Sequence, residues 1–120
     1  MKVFVYGTLM RGRWNHSLLR QARFAGWAVL DDYALYQVAS FPGIAPSGGC
    51  RVRGGVYEIN SRMLRALDNL ECEGSMYVRR EVVVWLDDGS AAMAYTYEWN
   101  GAVRDEDFIP YCDQPWNREG

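Results

Sequence analysis

The sequence predicts a single mixed α/β (α+β) domain in which β-strands outnumber a few short helices. The chain starts with an apolar, β-favouring run from Val3 to Val5, which is too compact for a one-sided helix. Residues 62–71 have the spacing of an amphipathic helix, and two β-rich segments flank a turn at residues 87–90. A chain of 120 residues can bury a core without a metal or disulfides. We therefore assign residues 1–120 to one domain.

The N-terminal run predicts a strand that is buried on both faces or lines a small barrel. Gly7 ends this strand, within the segment Tyr6-Gly7-Thr8-Leu9. Because glycine has no Cβ, it permits positive φ and close approach of a ligand, and the N–H groups beyond it can converge on a carboxylate. An ordinary strand-ending turn explains the same residues. A functional role for this turn therefore depends on a partner elsewhere in the chain.

The next part of the chain predicts a helix, two strands, a loop and a further strand. A turn at Asp31-Asp32 separates the two strands, and proline and glycine mark the loop. In order, we predict a short helix over 17–22, strands over 25–30 and 33–38, an exposed loop over 41–49, and a strand over 52–59.

The clearest helix covers Arg62 to Glu71. Asn60 and Ser61 offer an N-cap, and apolar residues recur at helical spacing through the segment. Glu71 follows Leu67 by four residues, so it lies on or beside the face that packs inward. The sequence thus directs one carboxylate towards the interior.

A β-hairpin follows the helix. Residues 76–86 are strongly β in composition, Asp87-Asp88-Gly89-Ser90 predicts the turn, and residues 91–99 form the returning strand. Residues 100–120 carry acids, two prolines and aromatic side chains, and their periodicity predicts no particular structure.

Composition excludes several classes of function. Thirteen basic and fifteen acidic residues give a net charge of −2, and the absence of a basic block argues against nucleic acid as a partner. Three cysteines without a CxxC spacing and a single histidine argue against a metal site and for reduced thiols. No apolar stretch has the length of a membrane span or a signal peptide. We therefore expect a soluble, cytoplasmic protein without a membrane partner.

An ordered set of motifs resembles the gamma-glutamylcyclotransferase-like family. In sequence order they are Tyr6-Gly7-Thr8-Leu9, Phe41-Pro42-Gly43, the strand 52–59, Leu67-Asp68-Asn69-Leu70-Glu71, and Met76-Tyr77-Val78-Arg79-Arg80. The order and spacing of the set carry the resemblance, from residue 3 to about residue 99. Among its branches, the short chain and the Phe-Pro-Gly segment are most similar to the gamma-glutamylamine and butirosin-pathway-like members.

The resemblance implies a small β-barrel with a few short helices and a cofactor-independent reaction. Members cyclise a γ-glutamyl group, releasing 5-oxoproline and a free amine or amino acid. By resemblance, Glu71 is the catalytic acid/base, and Tyr6, Gly7, Thr8 and Leu9 form the loop that holds the substrate carboxylate. Tyr77 is a further substrate-binding candidate, or else a core residue. The expected partner is a small γ-glutamyl molecule, and the expected assembly is a monomer or weak homodimer.

Two alternatives to this assignment stay open. In the family, glycine usually follows the catalytic glutamate at once, whereas here Cys72 and Glu73 precede Gly74, so Glu73 rivals Glu71. Glu71 is preferred because it lies six residues before Tyr77. Cys72 as a thiol nucleophile lacks an activating base other than His16. A non-catalytic small-molecule binder or a protein-interaction domain of the same fold is the alternative function.

Overall fold

A computed structural model of the chain, which describes residues 1–7 and 19–116, has a closed five-stranded barrel at its centre. The barrel strands are β1 (Lys2–Val5), β2 (Arg23–Gln37), β3 (Pro42–Glu58), β4 (Tyr77–Leu86) and β5 (Ala91–Trp99). Their order is β3-β1-β5-β4-β2, and β2 pairs again with β3 to close the ring. Strands β1 and β5 are parallel and the other neighbours are antiparallel. The predicted small barrel is confirmed.

Strand β1 lies in the core, as its apolar run predicted. Val3, Phe4 and Val5 are buried, and the hydroxyl of Thr96 on β5 donates to the Phe4 carbonyl at 3.0 Å. On the other side, β3 passes so close that a Cβ on Gly54 would lie 2.3 Å from the Val5 carbonyl oxygen. A glycine at this position is therefore a condition for closing the barrel.

The prediction of two strands joined by a turn at Asp31-Asp32 is wrong. Residues 23–37 form one long strand whose register with β3 shifts twice, between Phe24 and Gly26 and between Asp31 and Tyr33. Asp32 adopts a φ of 64°, and its carboxylate accepts a hydrogen bond from the Gly49 backbone N–H at 3.1 Å. Aspartate tolerates this left-handed conformation, so the polar pair bends the strand without ending it.

The prediction of an exposed loop over residues 41–49 is also wrong. Strand β3 begins at Pro42 and continues to Glu58, so the predicted strand over 52–59 is only its second half. Pro42 pairs with Gln37 and Pro46 with Tyr33. Proline is tolerated at the first residue of a strand and along an edge, and in the described pairings this arm of β3 has β2 as its only neighbour.

The predicted helix over residues 17–22 is visible only in its second half. From Leu19 the chain makes a tight turn in which the Ala22 N–H donates to the Leu19 carbonyl at 2.9 Å, and β2 begins directly afterwards. Leu19 itself has 3-10 helical geometry, so the helical prediction is wrong only for residues 20–22, while residues 17 and 18 lie outside the described part.

The helix and the hairpin match their predictions closely. Helix α1 (Ser61–Leu70) starts at Asn60, whose side chain accepts from the Met63 N–H at 2.9 Å, and Leu67 is buried. The predicted hairpin is present, and β4 and β5 pair from Tyr77↔Trp99 to Trp85↔Ala91 around the predicted turn. Of the helices within residues 1–7 and 19–116, none is long and apolar enough to cross a membrane.

The tail, for which the sequence predicted no structure, packs along the β2–β3 pair. It contains two short 3-10 turns, Asp105–Asp107 and Tyr111–Asp113, around the two-residue strand β6 (Phe108–Ile109), which pairs with β2. Gln114 anchors the tail through its side-chain amide. It accepts from the Arg53 N–H at 2.8 Å and donates to the carbonyls of Arg51 and Ile109 at 3.3 and 3.2 Å.

Candidate active site

Glu71 stands where helix α1 ends, and the geometry of that end sets its position. The Glu73 N–H donates to the Asp68 carbonyl at 2.9 Å, and the Cys72 N–H donates to the Asn69 carbonyl at 3.3 Å. This pair of bonds is a Schellman motif, which stops the helix by placing the residue after the cap in the left-handed region. Glu71 is the cap, and its own N–H still donates to the Leu67 carbonyl at 2.9 Å.

The Glu71 carboxyl is withdrawn from water beside three tyrosines. Burial raises its pKa from 4.5 to about 7. In turn, burial first and then the nearby Glu71 charge raise the pKa of Tyr77. Glu71 also contributes to the raised pKa of Tyr6 and of Tyr97, in both cases after burial and other neighbours. The glutamate thus faces phenols from the ends of β1, β4 and β5, and near neutral pH it can both accept and donate a proton.

The raised pKa of Glu71 makes the stability of the protein depend on pH. Between pH 4.5 and about 7 the folded protein binds more protons at this carboxyl than the unfolded chain. The free energy of unfolding therefore falls as pH rises through this window, by up to about 3 kcal/mol from Glu71, and stays lower above it. Urea unfolding at pH 5 and pH 8 measures the fall. Glu71→Gln is expected to lose the pH-dependent part of the stability that Glu71 contributes, and to be more stable than the wild type at pH 8. If the variant and the wild type depended on pH to the same extent, the raised pKa could not belong to Glu71.

Tyr6 and Gly7 bring the end of β1 to the same place. The Tyr6 hydroxyl donates to the Tyr97 carbonyl at 2.5 Å, so its buried side chain anchors the strand end. The expected positive φ at Gly7 is wrong, because Gly7 is not among the described residues with positive φ. Glycine is required here for a different reason. A Cβ on Gly7 would lie 2.9 Å from Cγ of Pro42, at the start of β3.

Tyr77 contacts both Pro42, the neighbour of Gly7, and the aromatic residues Phe41 and Trp99, which form the aromatic side of the site. Its hydroxyl donates to the Pro42 carbonyl at 2.7 Å, and its ring packs against Phe41 and Trp99 with centroids 6.4 and 5.3 Å away. The hydroxyl hydrogen is thus already bound within the protein. The oxygen of Tyr77 still offers lone pairs to a substrate, while its ring acts in packing.

The rival carboxylate, Glu73, occupies a different environment. It is exposed, and its side chain accepts from the Arg79 backbone N–H at 3.3 Å. Cys72 is likewise exposed, and all three cysteines are free thiols. Burial therefore separates the two glutamates, and it favours Glu71 as the group whose proton affinity suits acid/base chemistry.

The Schellman motif also explains why a glycine suits the position after Glu71. Cys72 has a φ of 49°, a region that costs a residue with a Cβ about 1 kcal/mol or more. Cys72→Gly is expected to stabilise the protein by about 0.5–1 kcal/mol, since the greater freedom of glycine in the unfolded chain offsets part of the gain. Thermal and urea unfolding measure the change. Cys72→Ser keeps the Cβ and should show no gain; a gain of the same size in both variants would contradict backbone strain as the cause.

Sequence reasoning missed three residues that hold this site together. Asp68 of α1 accepts from the Tyr97 hydroxyl at 2.6 Å and forms a short ion pair with Arg79. Arg79 and Tyr97 face each other directly across the hairpin. The turn at residues 87–90 fixes that pairing, and Asp68 and Arg79 belong to motifs that carry the family resemblance, but nothing in the sequence indicated that the three side chains meet.

The remaining predicted residues lie outside the described part of the chain. Thr8 and Leu9 of the substrate loop, and His16, belong to residues 8–18. Within residues 1–7 and 19–116, no group of three His, Cys, Asp or Glu side chains is placed to hold a metal ion. The absence of a metal and of a cofactor stays a prediction.

The family model described as "Gamma-glutamyl cyclotransferase, AIG2-like" matches residues 3–118. The chain belongs to this family. It is 36% identical over 98 residues to the gamma-glutamylcyclotransferase family protein YtfP of Escherichia coli K12, covering 82% of this chain and 83% of that protein. It is 41% identical over 95 residues to a gamma-glutamylaminecyclotransferase of Bos taurus, covering 71% of this chain but 56% of the bovine protein.

Solved structures agree with the family membership. The crystal structure of an AIG2-like protein from Mus musculus superposes with a TM-score of 0.77 at 31% identity, over 92% of this chain and 84% of the mouse chain. The fold and the family therefore confirm the resemblance on which the predicted site rests.

Proposed function

We propose that this protein is a γ-glutamyl cyclotransferase that releases 5-oxoproline and a free amine or amino acid from a γ-glutamyl amide. The observation that carries the proposal is the half-buried Glu71 carboxyl at the end of α1 beside Tyr6 and Tyr77, because its burial raises its pKa to about 7. A group of this pKa is suited to take up and return a proton at neutral pH. Membership of a family named for this activity supports it.

In the proposed reaction Glu71 acts twice. As a carboxylate it removes a proton from the substrate α-ammonium, and the amine nitrogen then attacks the γ-carbonyl carbon to form the ring C–N bond. As a carboxylic acid it returns the proton to the departing nitrogen while the original amide C–N bond breaks. The ring nitrogen loses its second proton to the solvent, from which the released amine is protonated at neutral pH. The nucleophile belongs to the substrate itself, so the attack is intramolecular and gains the high effective concentration of such reactions. No cofactor takes part.

The end of β1 is the proposed cradle for the substrate α-carboxylate. Backbone N–H groups of Tyr6, Gly7, Thr8 and Leu9 would bind it, as successive N–H groups in a turn bind anions. The Tyr6 side chain supports this role, because the hydrogen bond from its hydroxyl to the Tyr97 carbonyl holds the segment in place. This bond uses no backbone N–H group, so those groups stay available for the substrate carboxylate. Tyr77 would accept a hydrogen bond from the substrate while its own hydrogen stays on Pro42.

For the leaving group we propose an amine in preference to an amino acid or to the cysteinylglycine part of glutathione. The bovine relative is named gamma-glutamylaminecyclotransferase, which supports this choice. We also propose a cytoplasmic location, because three free thiols suit a reducing compartment.

The test is a panel of γ-glutamyl amines, γ-glutamyl dipeptides and glutathione, each incubated with the purified protein, with 5-oxoproline measured by mass spectrometry. The expected result is release from at least one amine at rates well above the spontaneous reaction. Binding of a panel member without 5-oxoproline release would favour the alternative of a non-catalytic small-molecule binder. Neither binding nor release across the panel would contradict both.

A further inference from the structure

The last turn of α1 is fastened to the β4–β5 hairpin through one carboxylate. Asp68 Oδ1 accepts from the Tyr97 hydroxyl at 2.6 Å, and Asp68 Oδ2 forms an ion pair with Arg79. The two partners are directly opposite each other on adjacent strands, so they present a hydroxyl and a guanidinium side by side. The Arg79 guanidinium also lies over the Tyr95 ring, 5.1 Å from its centroid. Both carboxylate oxygens of Asp68 are therefore occupied by the barrel.

The ion pair between Asp68 and Arg79 is less exposed to solvent than an ordinary surface ion pair. The side chains of Asp68 and Arg79 are 22% and 32% exposed. In the pair of Arg53 and Asp87, which joins β3 to the turn of the same hairpin, the arginine side chain is 23% exposed but the aspartate is 57% exposed. Because a partly buried pair is screened less by water, its loss affects local structure more than the loss of an exposed pair.

Asp68 belongs to the same structural unit as the Glu71 cap. Its backbone carbonyl accepts the Glu73 N–H of the Schellman motif, so side chain and main chain of one residue hold the helix end. On the other side, the Tyr97 carbonyl accepts from the Tyr6 hydroxyl. Tyr97 is thus hydrogen-bonded both to the helix that carries Glu71 and to Tyr6, which directly follows β1.

We propose that Asp68 is a positioning residue, which fixes the last turn of α1 on the hairpin and so holds the Glu71 carboxyl beside Tyr6 and Tyr77. Asp68 does not touch the reacting atoms. The proposal rests on the proposed function insofar as Glu71 is the acid/base of the reaction. The effect of Asp68 on the burial of Glu71 does not depend on which reaction the protein catalyses.

The surroundings of Glu71 make its titration a direct report on its position. Among residues 1–7 and 19–116, the ionisable groups whose charges interact with it are the hydroxyls of Tyr6, Tyr77 and Tyr97, while Asp68 and Arg79 are paired with each other. Burial is what raises the pKa of Glu71. A helix end that swings outward would hydrate the carboxyl and lower that pKa towards 4.5.

The experiment compares Asp68→Asn with the wild type in the absence of substrate. The asparagine oxygen can still accept a hydrogen bond from the Tyr97 hydroxyl. Its NH2 group, however, would face the Arg79 guanidinium, and because both groups are hydrogen-bond donors the contact with Arg79 is lost. NMR titration of the Glu71 side-chain carboxyl is expected to show a fall of at least one pKa unit. In the panel assay kcat is expected to fall about ten- to a hundredfold, the cost of a small misplacement, with KM changed less than threefold.

Two further variants serve as an independent test of the same contact and as a control. Tyr97→Phe removes the hydroxyl but keeps the ring and the carbonyl that binds Tyr6, and should shift the Glu71 pKa in the same direction. It carries the test if Asp68→Asn does not fold. Asp87→Asn breaks the exposed ion pair with Arg53 and should change neither the titration nor kcat.

The outcomes separate the positioning role from the proposed function. An unshifted Glu71 pKa in a folded Asp68→Asn or Tyr97→Phe protein would overturn the proposal. A shift equal to that of Asp87→Asn would overturn it as well. If the pKa falls as expected while the wild type releases no 5-oxoproline from any panel member, the positioning role stands and the proposed function fails.

Discussion

Glu71→Gln is expected to lower turnover by about two to four orders of magnitude, the usual contribution of general acid/base catalysis. Glutamine keeps the size of the side chain and its contacts beside Tyr6 and Tyr77 but cannot take up or release a proton at neutral pH. Steady-state 5-oxoproline release on the best panel substrate measures the loss. Substrate affinity, measured by calorimetry, should change little, because the α-carboxylate cradle is elsewhere.

Glu73→Gln is the matched control for this variant. It makes the same chemical change two residues away, on an exposed side chain whose oxygen can still accept from the Arg79 N–H. Turnover should therefore stay within about twofold of the wild type. Loss of activity in Glu73→Gln with activity kept in Glu71→Gln would show that the catalytic role had been assigned to the wrong carboxylate.

Gly7→Val is expected to weaken the binding of a γ-glutamyl ligand more than tenfold and to destabilise the fold by about 1–3 kcal/mol, the usual cost of overpacking. The first atom of the new side chain would already lie 2.9 Å from Cγ of Pro42, whose ring is rigid. Either β1 or Pro42 must then move. Moving Pro42 also moves the carbonyl that binds the Tyr77 hydroxyl, so the cradle and the aromatic side of the site are disturbed together. Calorimetry with a γ-glutamyl ligand and urea unfolding measure the two effects.

Gly48→Val provides the comparison at a glycine of strand β3 where a new Cβ would meet no atom within 4 Å. Valine favours strands, so stability should be unchanged or slightly higher, with ligand binding unaffected. Wild-type ligand affinity in Gly7→Val would contradict the assignment of this segment to substrate binding.

The elements that the sequence predicted well are those specified by neighbouring residues. Helix α1 has its cap at Asn60 and its apolar spacing within ten residues. The β4–β5 hairpin is defined by a turn and by the segments that flank it. In both cases short-range signals agree with the final packing, so the boundaries came within one or two residues.

The errors arose where a distant strand overrides local signals. Asp31-Asp32 and the prolines at 42 and 46 are turn and loop residues by local preference. In the fold they lie within β2 and β3, which pair from Arg23↔Glu58 to Gln37↔Pro42. A long paired neighbour supplies enough backbone hydrogen bonds to carry a bulge and two missing donors.

The sequence by itself determined the family, the barrel class and the candidate residues Tyr6, Gly7 and Glu71, because those depend on ordered motifs and local patterns. Only the tertiary structure showed that the Glu71 carboxyl is largely withdrawn from water whereas its rival Glu73 is exposed. It also replaced a conformational reason for Gly7 with a steric one, the contact with Pro42. Burial and close approach are properties of residues far apart in the chain. The pKa of about 7 at Glu71 is therefore a property of the assembled barrel, since it depends on how β1, β4 and β5 exclude water from the end of α1.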